Sequence, residues 1–467
     1  MSSKNSPNLK VPTPEKTAAE LFTSQSKQPQ NIAIIGGGIA SLILADHIFK
    51  QQPKCNIQLF CQDEQLANKG SGNKQGALYP LLQGSKSVIA EVYAHSYQYA
   101  VDYYQSLLEQ GITFEHQWCG VLQQAFKPEL ESRLKKFSAV WPELCSYINA
   151  QQSSSLANLP LPFASIYYEK GGWLSPQQLC FSLAEYLSNR FSFTTRLNSK
   201  ITEFALCSDN ISTKGNNVSE TKQKSWQLTR ENKNGTHDKY QFDAVIICAG
   251  HLSARFNLNS DFDLFDAIPL QSVRGQVSRL HNKTELSNLA TVLCHKGYVT
   301  PAQNDYQSFG ATFSKDDENE QVLPQDVERN LEQLQQVYPK SSWSEVIKTN
   351  DVIANKAAIR ATSPDHIPIV GELFSNDWVK QFVDQNTGHL KRRDKLPKHL
   401  NGFQGSDLSG LFTLTGLGAR GITTAPLMAN HLTSLIFGQN SQLSPRIKKG
   451  IAPMRFQVRA LKRNKAK

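Results

Sequence analysis

Asn31-Ile32-Ala33-Ile34-Ile35-Gly36-Gly37-Gly38-Ile39-Ala40-Ser41 is the stretch that decides how this chain folds. An apolar strand runs straight into a glycine turn, and a helical pattern of Leu42, Leu44, Ala45, Ile48 and Phe49 follows. A second apolar strand, Ile57 to Phe60, comes next. Strand, glycine turn, helix and strand in this order read as a dinucleotide-binding βαβ unit. Gly36 permits the tight turn. Gly38 lets the backbone approach a pyrophosphate seated on the helix N-terminus. Ser41 stands where a third glycine is usual and is small enough for helix to pack on strand. Gly37, Ile39 and Ala40 complete the expected phosphate loop. An acid ordinarily ends the second strand and holds the adenosine ribose. Here Cys61 stands at that position and Asp63 is the nearest acid, readable as the ribose partner or as a turn residue.

The chain has 467 residues, long for a single core, so two interleaved domains or one domain with an inserted lobe are expected. Met1 to Gln30 is rich in Ser, Pro, Lys, Thr and Gln and reads as a disordered leader or linker. A polar stretch from Ser208 to Tyr240, with Asn234-Gly235, reads as strands joined by hairpin turns. Phe242 to Cys248 reads as a buried strand, and Gly410 to Phe437 as a strand running into a helix. The longest apolar stretch, Ile32 to Ala45, is broken by three glycines and is too short to span a bilayer. No secretory signal opens the chain. The eight cysteines form no C-x-x-C pair, so a reducing cytoplasm is expected, with neither zinc nor disulfides. The eleven histidines show no metal spacing, and no metal is expected; His251 and His366 read as exposed turn residues.

The net charge of +10 is unevenly placed. Arg446, Lys448, Lys449, Arg455, Arg459, Lys462, Arg463, Lys465 and Lys467 are nine bases with no acid among them, which leaves +1 for the rest of the chain. A block of this kind suits a polyanion, and the alternative is a solvated tail. Arg455, Arg459 and Arg463, four apart, would share one face of a helix.

Further segments identify the dinucleotide. Gly70-Ser71-Gly72-Asn73-Lys74-Gln75-Gly76-Ala77-Leu78-Tyr79-Pro80 offers amide donors able to wrap a pyrophosphate and a flavin edge. Ala249 and Gly250 end a strand in a small-residue turn. In Gly416-Leu417-Gly418-Ala419-Arg420-Gly421-Ile422-Thr423 a second glycine turn opens a helix, whose N-terminus would stabilise charge on a reduced flavin. Together with Val273-Arg274-Gly275-Gln276 and the Ile359 to Gly371 string, these resemble the D-amino-acid-oxidase-like FAD family, which includes glycine and sarcosine oxidases. The resemblance implies an α/β fold with an α+β lobe: a Rossmann-like FAD-binding domain with an interleaved antiparallel-sheet substrate domain. The FAD-binding parts fall at about 31–85, 165–265 and 355–445, the substrate lobe at about 86–164 and 266–354, and a basic tail at 446–467.

Within that family, the 70–80 string, Trp118-Cys119-Gly120-Val121, Gly171-Gly172-Trp173-Leu174 and Leu417 to Gly421 resemble the oxidoreductase half of the tRNA-modifying MnmC family. That resemblance implies FAD-dependent oxidation of the carboxymethylaminomethyl group on a tRNA wobble uridine. Glyoxylate would leave and aminomethyluridine remain, with tRNA held in part by the basic tail. A methyltransferase domain needs well over ~100 residues, and only about thirty precede the first strand. This chain therefore reads as either a stand-alone oxidoreductase or a fragment of a longer protein and is expected not to methylate; a separate methyltransferase partner is compatible with that reading.

The resemblance also implies site residues. A guanidinium best holds a carboxylate, through a bidentate fork. Arg360 and Arg420 lie in the segments that line the flavin in similar oxidases, and Tyr298 matches a substrate-facing tyrosine of glycine oxidases. Ion pairing for the arginines and core packing for Tyr298 are the structural alternatives. Tyr79 and Trp173 read equally as flavin neighbours or as core. Two other functional classes stay open: a small-molecule amine or amino-acid oxidase, and a non-catalytic RNA-binding flavoprotein.

Overall fold

A computed structural model describes residues 28–209, 223–232, 234–258, 262–263, 267–281, 285–385 and 408–464. Residues 1–27 of the expected leader, and Lys465 and Lys467 of the basic segment, lie outside the described residues; so do the side chains of Lys462 and Arg463.

The apolar run at the first strand is buried on both faces. Ile32, Ala33, Ile34 and Ile35 are all buried, as a central parallel strand requires. Asn31–Ile35 pairs in parallel with Asn56–Phe60 on one side and with Ala244–Ile247 on the other. The sheet extends to Ser192–Arg196 beyond Phe60 and to Leu411–Thr415 beyond Ile247. Ile369–Glu372 closes the far edge antiparallel. This six-stranded sheet is covered by Ile39–Gln51 and Gly421–Ile436, which pack on one another.

A larger, mostly antiparallel sheet forms the second lobe. Gln271–His281 is its backbone: it pairs with Val352–Thr362 along almost its whole length and with Tyr306–Gly310 and Ser314–Lys315 on its other side. The sheet continues through Tyr298–Val299, Val292–Cys294, Val121–Gln124 and Ser165–Tyr168. A smaller antiparallel sheet contains Lys200–Asp209, Gln223–Glu231 and His237–Phe242. Gly235, at φ +73°, turns between the last two.

Three expected boundaries move. Val88–Glu109, placed by the boundary at 86 in the substrate lobe, packs instead on Gly421–Ile436 of the FAD-side layer. Tyr104 fastens the two, its hydroxyl donating to Ile422 O at 2.6 Å. Ser165–Tyr168, expected on the FAD side, is a strand of the large sheet. So is Val352–Thr362, which carries the large sheet past the boundary drawn at 355. Pairing ladders and helix contacts decide lobe membership, and neither is visible in chain order.

The basic C-terminal segment is folded onto the body. It forms two helices, Pro445–Ile451 and Met454–Asn464. Arg446 donates to Glu91 at 2.8 Å. Arg455, 5% exposed, grips Asp365 with Nε at 3.1 Å and Nη2 at 3.0 Å. It also donates to the carbonyls of Ile451, Ala452 and Ile367. Arg459 reaches the same carboxylate at 2.7 Å. Arg455 is therefore not on a phosphate-facing surface, and neither the polyanion-binding nor the solvated-tail reading holds for it. No helix among the described residues is long and apolar enough to cross a membrane.

Candidate active site

A cavity of about 530 Å³ opens at the carboxyl ends of the central strands Asn31–Ile35, Ala244–Ile247 and Leu411–Thr415. This is where an open parallel sheet places its ligands. The glycine turn forms its floor. Gly36 has φ +123°, and a Cβ there would lie 2.3 Å from Cys248 O. A Cβ on Gly37 would lie 2.4 Å from Cys61 Sγ. The protein itself requires both glycines. At Gly38 a Cβ would meet only Ser71 Oγ, at 3.1 Å, so the space beyond belongs to whatever enters the cavity. The helix Ile39–Gln51 starts at Gly38 with no side-chain cap, and Ile39 N–H donates to Ser71 Oγ at 3.0 Å. A helix N-terminus facing a cavity favours an anion. These residues fit the pyrophosphate of a dinucleotide.

Gly36, Gly37, Gly38, Ile39, Ala40, Asp63, Ser71, Asn73, Gly76, Ala249, Gly250, Gly416, Gly418, Gly421 and Ile422 all line the cavity. Ser41, Gly72, Gln75 and Thr423 stand behind it. Ser41 is fully buried. Gly72 closes a turn through its N–H to Lys69 O at 2.9 Å. Gln75 braces the two lobes: its Nε2 donates to Pro301 O, and its Oε1 accepts from Thr300 Oγ1 and Ser308 N–H. Thr423 Oγ1 donates to Tyr79 O at 3.2 Å.

At the nucleoside end Cys61 packs against the glycine turn, and burial pushes its thiol up to about 11. A neutral thiol thus occupies the position of the usual acid. Asp63 lines the cavity, its pKa raised by burial against the opposing charge of Lys69, 3.7 Å away. Lys69 also pairs with Glu320, and Arg255 with Glu318. These two ion pairs tie the FAD side to the loop after Ser314–Lys315.

At the other end stand Arg360, Tyr298 and Arg420. Arg360 projects from Val352–Thr362 across Gly275, where any Cβ would fall 2.1 Å from its Nη1. Its polar partner is Thr312 O, at 3.3 Å. Burial lowers the pKa of this guanidinium, with the neighbouring Tyr298 opposing. Among the described residues no carboxylate pairs with it. Tyr298 donates to Gln75 O at 3.2 Å, and burial pushes its phenol up. Arg420 is held differently. Its Nη1 donates to Tyr79 O at 2.9 Å, and its guanidinium lies 4.0 Å from the centroid of the Tyr79 ring. Burial works against its charge, but Tyr79 and Tyr93 more than compensate. Tyr79 lines the cavity, whereas Trp173 is fully buried and donates to Gln117 Oε1 at 3.3 Å.

Several cavity residues are absent from the sequence reading: Lys69, His295, Lys296 and Phe313. Lys69 borders the Gly70 loop and could have been found there; nothing in the local pattern marks Phe313. His251, read as an exposed turn residue, is half-buried in the cavity wall, where burial lowers its pKa. His366 is exposed in its turn.

The family described as FAD dependent oxidoreductase (DAO) matches residues 31–435. The tRNA 5-methylaminomethyl-2-thiouridine biosynthesis bifunctional protein MnmC of Pseudoalteromonas translucida is 35% identical over 461 residues, 98% of this chain and 63% of that protein. Its counterpart in Pseudoalteromonas atlantica is 34% identical over 470 residues, covering 98% and 62%. The chain thus spans a little under two thirds of the length of these relatives. Among solved structures, glycine oxidase from Geobacillus kaustophilus superimposes with a TM-score of 0.62 at 16% identity, over 89% of this chain and 96% of that one. Fructosamine oxidase from Aspergillus fumigatus gives 0.63 at 13%, over 92% and 90%. Both share the fold.

Proposed function

The chain belongs to the FAD dependent oxidoreductase family, and from that premise we propose that it oxidises the secondary amine of a carboxymethylaminomethyl group on a tRNA wobble uridine. The carrying observation is Arg360, a half-buried guanidinium on the cavity wall with no internal carboxylate among the described residues. A charge held partly out of water without a counter-ion is costly, and an incoming carboxylate offsets that cost. The similarity to MnmC proteins supports tRNA as the bearer of that carboxylate.

The geometry supports a division of labour. Bound FAD supplies the hydride acceptor. The Gly36–Ala40 turn and the Ser71, Asn73 and Gly76 loop hold its phosphates and flavin edge. Arg360 holds the substrate carboxylate through two parallel N–H donors. Tyr298, tied to Gln75, fixes the wall beside it. Arg420 locks Tyr79 at the flavin-side helix start and is a positioning residue. The amine enters neutral, its methylene C–H gives up hydride, and water adds to the resulting C=N bond. The C–N bond then breaks, releasing glyoxylate and leaving the aminomethyl group on the base. The setting proposed is the cytoplasm.

One observation favours a second reading, a small-molecule amine oxidase. Arg446, Arg455 and Arg459 are engaged by acids of the body, so part of the basic segment is structural. Incubating the protein with tRNA from cells blocked at the carboxymethylaminomethyl stage separates the two. Conversion to aminomethyluridine with one glyoxylate per event is expected. Unchanged nucleosides together with turnover of glycine or sarcosine would sink the tRNA reading.

A further inference from the structure

Two phenylalanines lie close together along the second lobe and are treated in opposite ways. Phe309 is 1% exposed in the strand Tyr306–Gly310. Phe313 is 52% exposed, yet its ring lines the cavity and its centroid lies 6.0 Å from the Arg360 guanidinium. Packing alone does not account for an aromatic ring left open to solvent on a cavity rim, because burial of such a ring stabilises the fold. Thr312, immediately before it, is fully buried and gives its carbonyl to Arg360. Phe313 thus stands on the same cavity wall as Arg360.

We infer that Phe313 determines specificity by stacking on the planar ring that carries the substrate amine. The inference rests on the reading of Arg360 as the carboxylate holder. With the carboxylate on Arg360, a short methylene–amine–methylene arm brings the other substituent of the nitrogen to the rim, beside Phe313. A nucleobase splayed out of its strand offers a flat face there, and aromatic side chains are its usual platform. A small N-alkylglycine has no ring to stack. Phe313 therefore favours a base-borne amine over a free one.

The test uses the FAD-loaded protein and two substrates, tRNA carrying the carboxymethylaminomethyl base and sarcosine, with flavin reduction followed anaerobically. Phe313→Leu keeps apolar bulk but removes the ring; Phe313→Tyr keeps the ring. Flavin content and melting temperature are recorded for both variants. The expected result is that Phe313→Leu raises KM for tRNA relative to KM for sarcosine on the order of tenfold, within the range of one lost base–aromatic stack. The effect falls on KM more than kcat, and Phe313→Tyr restores the ratio. An unchanged ratio in Phe313→Leu, whether neither KM moves or both move together, overturns the inference and leaves the proposed function standing. Wild-type flavin that tRNA fails to reduce overturns the proposed function, and this inference with it.

Discussion

Arg455 is buried and Arg360 half-buried, but only one of them has a carboxylate inside the described chain. Arg455, under the C-terminal helices, is held by two oxygens of Asp365 and three backbone carbonyls. Arg360, on the cavity wall, has a carbonyl and the face of Phe313. A cation paired within the chain is part of the architecture; one left without an anion is a candidate receptor for one. By composition the C-terminal block carries nearly all the excess positive charge, yet the buried Arg455 within it is structural. A count of charges says nothing about which are already neutralised.

The largest expected effect tests the cavity side. Gly38→Leu should abolish FAD binding and yield a colourless protein that still unfolds cooperatively. The chain has room for a Cβ at that position, apart from Ser71 Oγ, whereas an approaching phosphate does not. A yellow variant with normal flavin content would show that Gly38 does not border the cofactor.

On the other side of the comparison, Arg455→Met should lower unfolding free energy by about 3 kcal/mol, because it strands the half-buried Asp365 carboxylate with Arg459 as its remaining guanidinium. Denaturant unfolding measures it. A loss below ~1 kcal/mol would reduce the Asp365 contact to the worth of a surface ion pair.

The same pair predicts a pH dependence. Burial alone would raise the Asp365 carboxyl, but Arg455 and Arg459 hold it down at about 2. Its folded pKa lies below the unfolded value of ~4, so its contribution is fully present above that value and is lost as pH falls toward 2. The amount is about 2 kcal/mol. His47, buried, and His295, half-buried on the cavity wall, are held down to about 4 and about 3 by desolvation; they already weaken the fold below ~6.5, where they would be protonated once unfolded. They are common to wild type and Asp365→Asn, so the difference between the two stability profiles isolates the aspartate. Parallel profiles from pH 5 to pH 3 would contradict the assignment.

The smallest effect completes the contrast. Arg360→Met should change apo-protein stability by less than about 1 kcal/mol, or raise it, since an unpaired, half-buried cation is exchanged for an apolar chain of similar reach. A destabilisation comparable with that of Arg455→Met would mean that Arg360 is structural after all.

The dinucleotide half was legible because its signals are local. Strand, glycine turn and helix are consecutive at 31–51, and the apolar runs at 244–247 and 411–415 announce buried parallel strands. What sequence could not show depends on long-range pairing. Gly275 is a glycine because Arg360, 85 positions later, crosses it. Ser165–Tyr168 belongs to the large sheet through its partner Val121–Gln124. Asp365 looked like part of a cofactor motif, and its use is to anchor the C-terminus. Phe313 and Lys296 reach the cavity by register alone, which no spacing in the chain encodes.

The central claim, that Arg360 is the substrate's carboxylate receptor, is tested most directly by anaerobic flavin reduction in Arg360→Lys with carboxymethylaminomethyl-bearing tRNA. Lysine keeps a positive charge but loses the planar two-donor fork. Losing such a charge-assisted contact costs about 1.5–3 kcal/mol, so reduction should slow more than about tenfold while flavin content stays at the wild-type level. Reduction at the wild-type rate would contradict the account and make Arg360 one more cation belonging to the fold.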